Sequence, residues 1–449
     1  MDEFYLVFGL GKSGIAAAEL LVKMGYACAM YDGKPVDEAA LKKSHPLIAD
    51  IPVYTEQIPK ELLEKVTVAV LSPGVPLDVP DVIKLKESGI RLSGEVELAY
   101  SLGKGHVAAI TGTNGKTTTT SIVGAMFKDY FSDARIVGNI GIPYTQEADT
   151  TTVDTRIAAE ISSFQLETID TFHPEVSAIL NITPDHLNRH HTMENYIRAK
   201  EAIVRNQTKK DTVVLNYDDE ELRHFGSLMV AKVMFFSSSQ ELDEGLFLRD
   251  DAIWIKKDGV EEEVIKTDDL NLLGTHNFEN VMAAVAIGQA MGVPMDSMRS
   301  TLRRFTAVEH RIEYVCDKRG VAFYNDSKGT NPDAAIKAVL AMNRPIVLIG
   351  GGFDKASEYD TWVETFEGRV KKLVLIGQTA DAIEACCREH GFTKVERASS
   401  LENAVLVAYG AARSGDCVLL SPACASWDMF PNYEVRGNEF KSLAKGLPD

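Results

Sequence analysis

Short uninterrupted apolar runs, each closed by glycine or a small polar residue and followed by a stretch of helical periodicity, recur along this chain. Phe4 to Phe8 reads as a strand, Gly9 to Gly14 as a loop, Ile15 to Met24 as a helix, and Ala27 to Tyr31 as a second strand ending at Asp32. Val66 to Leu71 is another such strand, closed by Ser72-Pro73-Gly74. A run apolar at every position, rather than at every second one, suits a strand buried on both faces of a parallel sheet. The same alternation continues with the strand His106 to Ile110 before a helix over Thr119 to Phe127, then Ile157 to Glu160 and Val176 to Asn181. Later strands are Val321 to Tyr324, Ile346 to Ile349, Leu373 to Ile376 and Val418 to Leu420. Ala252 to Val264 departs from this pattern and predicts a hairpin turning at Asp258-Gly259. Asn277 to Met291 is alanine-rich and predicts a helix.

At 449 residues the chain exceeds one ordinary core, and three α/β domains are expected. These are a small Rossmann-like N-terminal domain over residues 1–94, a central P-loop ATPase-like domain over 95–307, and a C-terminal Rossmann-like domain over 308–449. The central one carries a mostly parallel sheet plus the hairpin region. A net charge of −18 argues against nucleic acid as the main partner but leaves small anionic ligands open. Six cysteines without C-x-x-C spacing favour free thiols in a reducing compartment over disulfides or zinc. The acidic start at Met1-Asp2-Glu3-Phe4 is no signal peptide, and no apolar stretch is long enough to span a bilayer. A cytoplasmic enzyme without membrane insertion is expected.

The sharpest chemical signal is Ile110-Thr111-Gly112-Thr113-Asn114-Gly115-Lys116-Thr117-Thr118, a Gly-rich loop between a strand and a helix. Backbone N–H groups of Gly112, Thr113, Asn114 and Gly115 and of the helix start point at an anion in that setting. Lys116 adds a point charge at the β/γ-phosphates, and the Thr117 hydroxyl suits magnesium. Ile110 stands where the usual pattern has its first glycine, so Gly112 has to supply the flexibility. Gly9-Leu10-Gly11-Lys12-Ser13-Gly14 with Asp32 matches a dinucleotide fingerprint, yet a UDP-sugar also carries a pyrophosphate and a ribose. Glu160 ends a strand, where a carboxylate serves either as a magnesium ligand beside Thr117 or as a plain helix-capping acid. His186, in Asn181-Ile182-Thr183-Pro184-Asp185-His186, follows the next strand, while His190 and His191 read as surface histidines. Three more strand ends carry Asn325 to Pro332, Gly350 to Lys355 and Ser421 to Asp428; with Lys328, Lys355 and Ser426 they suggest a small anionic substrate.

These residues resemble the Mur ligase family over essentially the whole chain. T-G-T-N-G-K-T, E-I-S-S-F-Q, N-I-T-P-D-H, the H-N-x-x-N of His276 to Asn280 and the H-R of His310-Arg311 look like its motifs in order. N-D-S-K-G-T-N (Asn325 to Asn331) and L-S-P-A-C-A-S-W-D (Leu420 to Asp428) look like the D-glutamate-adding branch, and the D-N-P-R motif of the diaminopimelate-adding branch is absent. The resemblance implies ATP-dependent amide-bond formation in peptidoglycan precursor synthesis. ATP would phosphorylate the carboxylate of UDP-N-acetylmuramoyl-L-alanine, and D-glutamate would attack the acyl phosphate. It implies two magnesium ions. A monomer is expected, and because the reaction needs all three domains around one carboxylate, domain closure on binding is expected as well.

Carried over by position, Gly11, Lys12, Ser13, Gly14, Asp32, Ser72, Gly74, Asn139 and Gln165 look like UDP-substrate contacts, with His186 beside them. Gly112 to Thr118, Asn280, Arg311 and Asp326 look like ATP contacts. Thr117, Glu160, His186 and Lys200 look like the metal residues, Lys200 as a carbamate, which turns a cation into a carboxylate. Lys116, Glu160, His186, Lys200 and Lys328 would be catalytic. Lys328, Thr330, Lys355, Ser426 and Tyr433 look like the D-glutamate pocket. Gly329 stands where relatives often have alanine, Tyr433 where some have phenylalanine, and Phe225 to Leu270 matches no motif. A folylpolyglutamate synthetase-like ligase would not need the N-terminal glycine loop. A nicotinamide-dependent oxidoreductase would leave the phosphate loop and the Lys328 loop unexplained, and a non-enzymatic nucleotide switch would need no amino-acid pocket.

Overall fold

The computed structural model describes residues 3–306, 308–355 and 357–448. They form three α/β sheets grouped in two compact units, the first made of residues up to 267 and 279–303, the second of 268–278 and 304 onward.

The first unit holds two sheets. One has five strands in the order Val53–Thr55, Ala27–Asp32, Phe4–Phe8, Val68–Leu71, Arg91–Gly94, all parallel. Its central strands are buried on both faces, which is why their sequences lack alternation. The order reverses beside Phe4–Phe8, so the loops after Phe8 and Leu71 flank a crevice at the carboxyl edge. The following helix, Lys12–Lys23, starts ahead of the apolar periodicity, because Gly11 serves as its N-cap and the first turn is polar.

The other sheet has nine strands. Seven run parallel, from Gly245–Arg249 through Lys232–Ser237, Thr212–Asn216, Val176–Ile179, His106–Thr111 and Arg156–Glu160 to Ala134–Gly138. Ala252–Lys257 and Val260–Lys266 add the antiparallel hairpin, and Asp258 (φ 53°) and Gly259 (φ 75°) both take the left-handed conformation of its turn. The motif-free stretch after Phe225 thus extends this sheet at one edge.

The second unit has six strands, in the order Glu313–Lys318, Val321–Asn325, Cys417–Leu420, Ile346–Gly350, Val370–Leu375, Val395–Arg397. All pairs are parallel except the first, an antiparallel edge strand that its mixed sequence did not predict. The last strand of the chain is inserted between two earlier ones, which brings the loops after Asn325, Leu420 and Gly350 side by side. All six cysteines are free, and no helix among the described residues is long and apolar enough to cross a membrane.

Candidate active site

The phosphate loop joins His106–Thr111 to the helix Lys116–Tyr130. Gly112 sits at φ +147° and Gly115 at φ +86°, so the strain-free turn falls on these two glycines and Ile110 stays a strand residue. Space demands glycine too: a Cβ on Gly115 would lie 2.2 Å from Asn280 Oδ1. The loop is braced from the next strand. Asn181 accepts the Thr113 N–H at its backbone oxygen (2.9 Å) and the Asn114 N–H at Oδ1 (2.8 Å). Thr117 and Thr118 are buried at the helix start. Asn280 is buried beside them and accepts from Thr119 Oγ1 at 3.3 Å.

Glu160 pairs with Ile110 across the neighbouring strand, close to the loop's origin. Its Oε1 accepts from Asn139 Nδ2 at 2.7 Å, while Oε2 is buried with no hydrogen-bond partner. A buried carboxylate oxygen left without a donor is costly. A cation beside it removes that cost, so the Glu160 and Thr117 donor set fits magnesium. Lys116 folds back and donates to Gly112 O (2.8 Å) and Thr113 O (2.9 Å). Lys200, on the helix Met193–Glu201, is fully buried; its Nζ donates to Gly112 O at 2.8 Å and lies 4.6 Å from the Tyr196 ring centre. Burial, then the charge of Lys116, hold its amine well below the ordinary lysine range.

At the crevice of the five-stranded sheet lies a cavity of about 670 Å³. Gly11, Lys12, Ser13 and Asp32 line it together with Ser72, Gly74, Asn139 and Gln165. Asp32 accepts the Leu10 and Lys34 amides, and Ser72 Oγ donates to Gly9 O, so both side chains shape the loop. Lys12 reaches across to the Gly141 carbonyl. Gly14 is not in the lining, and packing by itself requires glycine there, since a Cβ would sit 1.8 Å from Gly9 O. Gln165 caps its own short helix, accepting from Ser162 N at 2.9 Å, and its Nε2 faces Glu95 Oε2 at 3.5 Å. His186 is exposed, in the left-handed conformation, with its ring edge on Phe164; it lines a smaller cavity that shares Gly74 with the larger one.

In the second unit Asp326 N donates to Leu420 O, Gly351 N to Pro422 O and Phe353 N to Ala425 O, tying the three predicted loops into one platform. Asp326 is buried; it accepts from Ser421 Oγ at 2.7 Å and from Ile312 N, and desolvation raises its carboxyl to about 7 despite nearby Arg311 and Arg436. Arg311 Nε is buried without a hydrogen-bond partner. Lys328 lies over the Tyr433 ring (5.4 Å) and Lys355, exposed, over the Trp427 ring (5.3 Å). Thr330 N donates to Lys328 O, and Ser426 is buried at the third loop's turn. Gly329 has a steric reason: a Cβ there would approach Asp326 Oδ2 to 2.4 Å.

Three buried neighbours of the predicted site residues escaped sequence reasoning. Arg436 is buried and donates to Ser327 Oγ (3.0 Å), Ser327 O (2.8 Å), Cys424 O and Ala425 O, clamping two of the three loops. Its only sequence signal is its place in the first turn after the Asn432 cap. Glu95 is buried under Gln165 and held by Thr145 N (2.7 Å) and Thr145 Oγ1 (2.9 Å). His190 is no surface histidine: it is buried, bonded to Ser163 Oγ at 2.9 Å and stacked on Phe164, and burial pushes it down to about 4. Exposed His191 keeps the expected surface position.

Three family models cover the chain: a Mur ligase MurD-like N-terminal domain over residues 3–94, a Mur ligase middle domain over 110–288, and a Mur ligase glutamate ligase domain over 310–424. The UDP-N-acetylmuramoylalanine--D-glutamate ligase of Lachnoclostridium phytofermentans is 50% identical over 445 residues, 99% of this chain and 98% of that protein. The ligase of the same name from Clostridioides difficile is 46% identical over 446 residues, 98% of each. Among solved structures, the UDP-N-acetylmuramate-alanine ligase of Thermotoga maritima aligns over 99% of both chains with a TM-score of 0.62 at 19% identity. A pseudomurein peptide ligase type C from Methanothermus fervidus aligns over 93% of this chain and 96% of its own, with a TM-score of 0.58 at 17% identity. At those identities the two structures speak for the fold alone. With all three parts matched in order and near-full-length relatives at half identity, the chain belongs to the Mur ligase family.

Proposed function

We propose that this protein is an ATP-dependent ligase joining D-glutamate to UDP-N-acetylmuramoyl-L-alanine through an acyl phosphate, as a cytoplasmic monomer. The observation that carries this is the 50% identity, over nearly the full length, to a ligase named for that reaction. Residues 1–94 are assigned to the UDP part, 95–307 to ATP and 308–449 to D-glutamate.

A carboxylate is a poor acyl donor because its oxyanion is a poor leaving group. In the first step its oxygen attacks the γ-phosphorus of ATP and ADP leaves. In the second the D-glutamate nitrogen attacks the acyl carbon, phosphate leaves and the ammonium proton is lost. Negative charge gathers in both steps, which is a reason for the cation-rich loop around Gly112. Lys116 is assigned to the phosphates. Magnesium, when bound, neutralises phosphate charge; Thr117 and Glu160 are assigned to one ion, His186 and Lys200 to a second. Lys200 would serve as a carbamate, and the downward shift that burial imposes on its amine favours the neutral form that reacts with carbon dioxide. Gly11, Lys12, Ser13, Asp32, Ser72, Gly74, Asn139 and Gln165 are assigned to the UDP substrate. Asn280, Arg311 and Asp326 are assigned to the nucleotide, and Lys328, Thr330, Lys355, Ser426 and Tyr433 to D-glutamate.

The test is phosphate release from ATP with UDP-N-acetylmuramoyl-L-alanine, comparing D-glutamate, L-glutamate and no amino acid. Release that needs both the UDP-sugar and D-glutamate is expected. Release with a different amino acid would reassign the pocket, and release indifferent to both substrates would overturn the ligase reading.

A further inference from the structure

In the second unit, two helices flanking the strand Val370–Leu375 in sequence each present a pair of metal-type ligands one turn apart. The helix Asp360–Glu364 carries Asp360 and Glu364, and the helix Ala380–Glu389 with its cap carries Cys386 and His390. Spacing of four residues puts each pair on one helix face. A ring nitrogen of His390, a carboxylate oxygen of Asp360 and Sγ of Cys386 all lie within 4.8 Å of one another. His390 Nε2 is bonded to Asp360 Oδ1 at 2.9 Å, and Glu364 Oε1 lies 4.0 Å from Nδ1.

From this geometry we infer a divalent transition-metal site of zinc type, with Asp360, Cys386 and His390 Nε2 as ligands and Glu364 orienting the histidine. One nitrogen, one sulfur and one oxygen suit a borderline-soft ion and not magnesium or calcium, which take oxygen. A ligating histidine usually donates its second N–H to a carboxylate, and Glu364, 4.0 Å from Nδ1, is the carboxylate on that side of the ring. Three protein ligands leave a fourth position for water. His390 and Asp360 are exposed and Cys386 is half-buried, so an ion reaches the site without unfolding the unit. Binding displaces the Cys386 thiol proton into solvent as the sulfur–metal bond forms. An ion there would join the helix that follows the Lys355 loop to the helix after Val370–Leu375. None of these four residues is assigned to the ligase chemistry.

The experiment is calorimetric titration of the chelator-treated full-length protein with Zn²⁺ in excess Mg²⁺, paired with peptide-resolved alkylation of Cys386. One ion per chain is expected, with alkylation of Cys386 slowed by Zn²⁺ and not by Mg²⁺. Cys386→Ser and His390→Ala should each abolish that binding event, and Glu364→Gln should weaken it by about 10-fold or more. Unchanged Zn²⁺ affinity in Cys386→Ser and His390→Ala, or alkylation of Cys386 indifferent to Zn²⁺, would overturn the inference. The alkylation readout on the wild-type chain holds even where a variant folds poorly.

Discussion

Lys116 and Lys200 aim at one atom: the carbonyl oxygen of Gly112 accepts from both amines, each at 2.8 Å. Two positive charges on one neutral acceptor repel; burial first, and then the charge of Lys116, hold the Lys200 amine well below the ordinary lysine range.

Lys200→Met is therefore expected to remove activity by about 10²-fold or more while stabilising the fold in bicarbonate-free buffer. The sign follows from linkage. A lysine whose folded value is depressed binds fewer protons in the native than in the unfolded state, so wild-type stability rises with pH up to the unfolded value near 10. Thermal unfolding followed as pH rises toward about 10 should show that slope in the wild type and lose it in the methionine variant. A carbamate carbon signal in labelled bicarbonate should vanish with it.

Glu160→Gln keeps an oxygen for Asn139 Nδ2 but removes the charge behind the unpartnered Oε2. We expect an unfolding temperature equal to or above the wild type and kcat lower by about 10²-fold or more. Loss of stability instead would mean that Oε2 is satisfied within the fold.

Asp326 sits near 7 because it is buried, so its native form holds a proton that the unfolded chain has released. Its contribution is full below about pH 4 and is lost as pH rises through about 7. Asp326→Asn should flatten that part of the stability profile, leave the variant relatively more stable at about pH 8, and raise KM for ATP.

Arg436→Met would strand the carbonyls of Ser327, Cys424 and Ala425. A cost of about 1–3 kcal/mol in stability is expected, with KM for D-glutamate rising more than KM for ATP. Arg436→Lys should recover part of the stability and little of the affinity, since an ammonium cannot span both loops.

Gly14→Ala and Gly11→Ala should separate packing from binding. The first drives a Cβ into Gly9 O at 1.8 Å and lowers the unfolding temperature; the second meets no atom within 4 Å, folds normally and weakens only the UDP substrate, whose diphosphate needs close backbone approach. Calorimetry on both variants, with and without the UDP-sugar, checks this.

Much of this was legible along the chain because it is local. Parallel strands buried on two faces write themselves as unbroken apolar runs, and Phe4–Phe8, Ile346–Gly350 and the Asp258-Gly259 turn needed only their own residues. The phosphate loop is equally local, since glycine's conformational freedom and the helix start are properties of a single segment. The edge strand Glu313–Lys318 was invisible because an edge buries too little to impose an apolar pattern. Which side chains are buried by distant segments was decided only in three dimensions. Lys200 looks like any helical lysine until Gly112, 88 positions away, supplies its acceptor. Arg436 becomes a clamp because Ser327, 109 positions away, and the Cys424 loop converge on it. His190 loses its surface character under Ser163 and Phe164. Desolvation and shared acceptors depend on packing between elements far apart in the chain, so the sequence alone determined the sheets and the loops, and the tertiary structure decided the charge state and the partners of what those loops carry.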